Sequence, residues 1–446
     1  MLRSLLLFLL LALALATQAQ VSPGLQLARE VWNSRSTNPA IVQPYTLVVA
    51  LPGVMNDLNV NGLTYGDVLQ AEGSGAVIDA DRLLDRLGAR FDVRERVEVP
   101  TLGLSFFLGK MNVSVSHGTV FDAQLDVPRE LPELLWRGNA PFIGQTLRVD
   151  PKVLLNAYHR VQLSTATQIT DNLTIGASLN LLSGISALET ERFDVDFTTD
   201  DDIYALTLDT DLRVHSAGSL DYNGLDDIRI ESPTARLTFS EFLTNPSATI
   251  DLGARYQTEK LDLAASVLNL TAAALGYDET QGVTYTGNRS FTYTGIDGNA
   301  AIVDGEAIDF NTALDTLTTL LDLERRAGAF EAPLPQQLYL SGLYRLHNDW
   351  ELGAAAAIDR YRSTTKASGS VLARYRVLED LHVGASYGFH RDNFTQIGLQ
   401  AYGKLGPVQL YALTENVGGL LNLENANRVH FRAGVNLLFG AREPGQ

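Results

Sequence analysis

The most constraining feature of this chain is an alternation of period two whose apolar face carries no charge. From Leu381 to His390, Leu381, Val383, Ala385, Tyr387 and Phe389 fall on one face, and His382, Gly384, Ser386, Gly388 and His390 on the other. Near the end, Val429, Phe431, Ala433, Val435, Leu437 and Phe439 alternate with His430, Arg432, Gly434, Asn436 and Leu438. Successive side chains of a strand point to opposite faces, so this is a strand pattern. It recurs over 161–169, 173–181, 206–214, 248–256, 261–267, 350–358 and 408–412. The polar faces carry Gln162, Asp209, Asp211, Arg213, Asp251, Arg255, Asp262 and Glu351.

Turns punctuate the pattern regularly. Asp171-Asn172, Thr258-Glu259-Lys260, His347-Asn348-Asp349, Glu379-Asp380 and Leu405-Gly406-Pro407 each separate two strand-like runs. Other connections, such as 198–202 and 218–227, are longer and more varied. Short turns at one rim and long loops at the other are the layout of an outer-membrane barrel. A tilted strand needs about 9 to 11 residues to cross a bilayer, and several runs reach that length. Inside lipid every backbone polar group must be paired, which a sheet achieves only by closing. The expectation is an all-β fold: a transmembrane antiparallel β-barrel of about 14 strands, apolar side chains to lipid and polar ones to the lumen.

The first 19 residues read as an address. Arg3 is followed by an apolar run from Leu5 to Ala16, and Thr17-Gln18-Ala19 has small residues where a signal peptidase reads. Cleavage after Ala19 would leave 20–446 as one barrel domain with an N-terminal hatch segment. No later run supplies the roughly 20 apolar residues of a membrane helix. Three segments have helical spacing: 77–87, 131–136 and 310–323. They fit either long loops or a plug in the lumen.

Composition excludes several chemistries. The chain has no cysteine, hence no disulfide, thiolate metal site or cysteine nucleophile. Its net charge of -18, with no basic run, argues against nucleic acid. Of seven histidines, none forms a metal-type pair at helical spacing, and His382 and His390 read as lumen lining. Gly384-Ala385-Ser386-Tyr387-Gly388 matches a nucleophile motif, but it lies within an alternating strand, whereas that motif needs a sharp turn. Asp194, Asp196, Asp200, Asp201 and Asp202 lack calcium-loop spacing and read as solvated. No cofactor, no metal and no enzyme activity are expected.

Thr37-Asn38-Pro39-Ala40 stands near the expected mature N-terminus. This Asn-Pro-Ala box resembles that of the FadL-type outer-membrane transporters of hydrophobic compounds. The run Thr170-Asp171-Asn172-Leu173-Thr174-Ile175-Gly176, then Leu182-Ser183-Gly184, and the ending from Phe431 to Gly440 are more similar to an uncharacterised family of Bacteroidota outer-membrane barrels, a domain of unknown function. Type IX secretion barrels also resemble it in the Asn-Pro-Ala box. The FadL likeness implies a hatch that includes Asn38, Pro39 and Ala40, and passive transport of small hydrophobic molecules. The alternative it leaves is a non-transporting barrel of a secretion or surface-assembly system. The implied location is the cell outer membrane. The implied partners are outer-membrane lipid and lipopolysaccharide, a hydrophobic small-molecule ligand, and secretion-system proteins; the ligand-binding residues are not identified.

Overall fold

A computed structural model describes residues 23–60, 63–68, 70–72, 75–77, 80–202, 205–218, 220–222, 228–230, 246–271, 274–293, 323–347, 349–361, 364–390 and 393–442. Fourteen strands follow one another around a ring. They are β1 (Tyr45–Val60), β2 (Arg90–Leu108), β3 (Met111–Pro128), β4 (Lys152–Thr170), β5 (Leu173–Thr199), β6 (Pro246–Gln257) and β7 (Leu261–Leu268). The others are β8 (Gln336–Arg345), β9 (Trp350–Tyr361), β10 (Thr364–Leu378), β11 (Leu381–His390), β12 (Asn393–Leu405), β13 (Val408–Thr414) and β14 (Arg428–Ala441). Each pairs antiparallel with the next, and β14 pairs with β1, so the sheet closes as a 14-strand barrel.

The turns obey the expected asymmetry. Leu108↔Met111, Thr170↔Leu173, Leu378↔Leu381 and Leu405↔Val408 close tight hairpins at one rim. Gly109 and Gly406 sit in two of these turns at φ +62° and +58°, where a side chain would be strained. The Tyr45↔Ala441 pair places the start of β1 and the end of β14 at this same rim. Long connections leave the opposite rim. Two of the helix candidates lie there, as Ala80–Arg86 and Glu130–Arg137. Most of the third, 310–323, lies outside the described residues.

Burial is inverted relative to a water-soluble sheet. Leu163, Leu179, Ile250, Leu252, Leu340, Leu352, Ile397 and Leu399 are exposed on the outer face. Ser164, Asn180, Asp251, Arg374, Gln400 and Asn436 are buried on the inner face. The inner groups satisfy one another: Ser164 and Ser178 hydroxyls lie 2.7 Å apart, and Asn180 Nδ2 donates to Asp251 at 2.8 Å. Buried polar groups need such partners, whereas exposed apolar ones need a non-aqueous surrounding.

One set of expected lumenal residues belongs elsewhere. The sheet contains eighteen strands, and four of them, Thr146–Val149, Leu206–Ala217, Val283–Tyr293 and Glu324–Ala327, stay out of the ring. β5 is 27 residues long. Pro246↔Ser183 is its last pair with β6, whereas its pairing with β4 continues to Leu154↔Glu189; on the β6 edge Ala187–Thr199 pairs instead with Leu206–Ala217. Asp209, Asp211 and Arg213 therefore lie on an extension beyond the long-loop rim, with Asp209 and Arg213 exposed. Alternation has the same period whether the polar face meets lumen or water, so it could not separate the two cases.

The wall and the extension should respond differently to charge. Leu179→Arg should cost about 2–4 kcal/mol in a bilayer, by placing a cation on the apolar outer face near the middle of the stretch of β5 that pairs with β6. Asp209→Arg should change stability by less than about 0.5 kcal/mol. Urea midpoints from gel mobility before and after boiling would check both.

Candidate functional site

Residues 23–44 run inside the ring, and most are buried. They form a one-turn helix at Gly24–Leu27 and a 3-10 turn at Trp32–Ser36. Both are too short to be stable alone, so the barrel wall holds them. Leu27 packs with Leu343, Ala355 and Leu372, and Ala28 and Val31 pack with Tyr402, Tyr411 and Leu413. Arg374 grips Glu30 with both terminal nitrogens, at 2.9 and 3.0 Å, while Tyr402 Oη donates to the same carboxylate at 2.6 Å. Arg29 pairs with Asp262 and donates to Ser341 at 2.9 Å. A charge taken out of water is tolerated only with such partners.

The Asn-Pro-Ala residues lie against the wall at β5, β6 and β7. Asn38 is fully buried; its Nδ2 donates to the carbonyls of Ala254 and Ala265 at 3.3 and 3.0 Å, and its Oδ1 accepts from Ala40 N at 2.9 Å. Gly176 and Gly253, register partners on β5 and β6, make the close approach possible. A Cβ at Gly176 would stand 2.5 Å from Pro39 C, and one at Gly253 would stand 2.9 Å from Pro39 Cδ.

Above this plug, toward the long-loop rim, the lumen is crossed by charge. Arg94 pairs with Asp122 at 2.9 Å and with Asp359 at 3.2 Å. β2 and β9 stand opposite each other in the ring, so the second pair spans it. Arg428 binds Asp57 at 2.7 Å and Glu415 at 3.1 Å at a similar height. A straight axial path is obstructed by the plug and by these pairs.

The wall itself has a gap. The β1–β2 register runs to Ala50↔Gly103 and resumes at Met55↔Glu98. Between them Leu51, Pro52, Gly53 and Val54 face Val99, Pro100, Thr101 and Leu102 without pairing. Pro52 and Pro100 have no backbone N–H to offer, and proline is otherwise confined to edges and bulges of sheets. Each strand stays bonded to its other neighbour through an irregularity at the same height. The β1–β14 register shifts between Ala50 and Gly53, and the β2–β3 register between Pro100 and Leu102. Thr101 Oγ1 lies 2.7 Å from His117 Nδ1 on β3, which fixes the bulge. The gap is roughly 15–20 Å from the short-turn rim, seven tilted strand residues along β1.

A small cavity, partly open to solvent, lies behind the gap. Its lining runs from Leu102, 59% exposed on the outer face, through Leu51 and Pro100 to Trp32 and Arg35 in the plug. Gly103 has no side chain where the Trp32 ring comes in; a Cβ there would overlap the indole. His117 also lines the cavity, with its Nε2 3.2 Å from His159 Nδ1 and the two rings stacked at 5.3 Å. The sequence reading missed this pair because its members are 42 residues apart on neighbouring strands. It also missed the gap, whose visible signal was two prolines within long strand-like runs.

The remaining candidates are placed simply. His382 stacks on Tyr402 inside the barrel, and the side chain of His390 lies outside the described set. Ser386 sits within β11, in a continuous strand. It lines a second small cavity with His430 and Glu415. Among the described residues no group of three or more His, Asp or Glu side chains could hold a metal ion.

Comparison with known proteins places these features in context. The sequence model described as "Family of unknown function (DUF5723)" matches residues 39–415. No curated protein matches the sequence. Among solved structures, the chain is similar to the toluene transporter TodX of Pseudomonas putida, at 11% identity and TM-score 0.41, covering 92% of this chain and 94% of that one. A FadL homologue of Pseudomonas aeruginosa is similar at 12% identity and TM-score 0.36, covering 94% and 97%. The Ralstonia pickettii toluene transporter TbuX is similar at 8% identity and TM-score 0.34, covering 92% and 94%.

The fit of the Asn-Pro-Ala residues can be tested directly. Asn38→Ala should lower stability by about 2 kcal/mol through the lost buried hydrogen bonds. Gly253→Val should push the segment off the wall and expose Arg29 and Arg35 to trypsin. Urea midpoints and limited proteolysis in detergent would report both effects.

Proposed function

The chain belongs to that family of unknown function, DUF5723, and we propose that it is an outer-membrane barrel that passes small hydrophobic molecules passively between its lumen and the bilayer. The gap between β1 and β2 carries this reading. A closed barrel in lipid pairs its wall strands, and here four residues on each side, with one proline in each strand, stand unpaired at mid-wall. The exposed apolar belt fits outer-membrane lipid and the acyl chains of lipopolysaccharide.

Passive movement follows from the energetics of the route. An apolar molecule with about 200 Å² of surface gains about 5 kcal/mol on leaving water for hydrocarbon. A sideways exit into the membrane delivers that gain without an energy source. An axial exit would return the molecule to water on the far side. The segment 23–44, with Asn38, Pro39 and Ala40 at the wall, acts as the hatch that turns the path sideways. Its salt bridges to Arg374 and Asp262 keep it in place during passage.

Re-knitting the wall tests the reading. A Pro52→Val, Pro100→Val double variant restores the two backbone N–H donors that the prolines lack, one on each strand at the gap. Influx of the dye N-phenyl-1-naphthylamine into proteoliposomes should fall at least about fivefold, with barrel folding unchanged by gel mobility. Unchanged influx in a folded double variant would count against a lateral route.

A further inference from the structure

The cavity behind the gap contains a cation that has no counter-ion among the described residues. Arg35 is 2% exposed, and its Nη1 donates to Ser105 Oγ at 3.1 Å and Asn112 Oδ1 at 3.0 Å. Its Nε and Nη2 are buried with no hydrogen-bond partner, and among the described residues no carboxylate forms a salt bridge with it. The Trp32 Nε1 is likewise buried without a partner. The guanidinium lies 5.7 Å from the Trp32 ring centroid, and both residues line the cavity. Three donor nitrogens without a partner thus belong to two neighbouring side chains that line one cavity.

Such a gathering is costly unless something accepts the hydrogen bonds. A buried donor left unmade costs about 1–3 kcal/mol, and more when it is charged. The other plug cations follow the rule: Arg29 has Asp262, and Arg374 on the wall has Glu30. Around the cavity, Arg35, Arg160 and Arg432 face a single carboxylate, Glu98. Glu98 is also held by Arg96 at 2.9 Å, so it is shared among several cations. The local balance lacks one negative charge at Arg35.

We infer that Trp32 and Arg35 form a binding site for a compact oxyanion, so that the ligand of this cavity carries one acidic group, such as a carboxylate, sulfate or phosphate ester. The guanidinium offers two N–H groups to the oxyanion, and the indole offers a third. A guanidinium edge matches two oxygens of one anion, which a neutral alcohol or hydrocarbon does not present. The gap at Leu51, Pro100 and Leu102 is apolar, so it admits the rest of an amphiphilic ligand while Arg35 holds its head. This inference rests on the lateral route proposed above for its apolar part. The oxyanion site itself depends only on the donors and the cavity.

Binding of octyl sulfate, inorganic sulfate and 1-octanol to the full chain in a non-ionic detergent tests it, read by calorimetry. The wild type should bind octyl sulfate at least tenfold more tightly than 1-octanol. Arg35→Met should remove that preference, Arg35→Lys should weaken it several-fold because the fork is lost, and Trp32→Phe should weaken it a few-fold. Saturable binding of inorganic sulfate that octyl sulfate displaces would assign the site to a free anion as well as to a headgroup. Equal affinity for octyl sulfate and 1-octanol in the wild type would overturn the site, as would full preference retained in folded Arg35→Met. If that variant does not fold, the wild-type contrast and the Arg35→Lys result still decide. Dye influx in the wild type separates the two proposals. Influx without anion preference would sink the site alone, and anion preference without influx would sink the route alone.

Discussion

Backbone hydrogen bonding is the constraint on which the rest depends. A strand surrounded by apolar medium has no water for its N–H and C=O groups, so it must find a neighbour on each side. Fourteen strands in a ring meet that demand, from Tyr45 to Ala441. Once the ring is closed, the two faces acquire fixed roles. The outer one can be apolar and uncharged, as with Leu163, Leu179 and Ile250, and the inner one must satisfy its own polar groups. The interruption at Pro52 and Pro100 stands out against this requirement because neither proline can donate. The structure accommodates it by keeping β1 bonded to β14 and β2 bonded to β3 around the gap.

The lumen follows from the same closure. Polar side chains directed inward compete for little water, so they form ion pairs and hydrogen bonds with one another. The Arg94–Asp359 pair spans the ring, and Arg374 ties the hatch to the wall through Glu30. This packing obstructs the axis, and the gap leaves the side. Arg35 departs from the pairing pattern, and it does so at the cavity behind the gap. The coincidence links the N-terminal segment inside the ring to the gap in the wall.

Much of the wall was legible in the sequence. The run Leu381–His390 is a strand with the predicted bounds, and the ending from Val429 to Phe439 lies within β14. Turns such as Asp171-Asn172 and Glu379-Asp380 fell at one rim, since short polar segments between alternating runs admit little else. The extension was not legible, because Leu206–Ala217 alternates as a wall strand does while pairing outside the ring. The site was legible only in part. Asn38-Pro39-Ala40 was noticed through a resemblance, but its contacts with Gly176 and Gly253 join residues more than 130 positions apart. Arg35 looked like any other arginine, because a missing partner is a property of the packed lumen and not of a local pattern.

The central claim is that molecules pass through the wall between β1 and β2. The chain has no cysteine, so a Leu51→Cys, Leu102→Cys pair, placed next to the last bonded Ala50↔Gly103 pair, would be the sole thiols. Dye influx into proteoliposomes should be measured with this pair oxidised and then reduced. The lateral route predicts that the disulfide lowers influx at least about fivefold and that a reductant restores it. Equal influx through the cross-linked and reduced barrels would contradict the account.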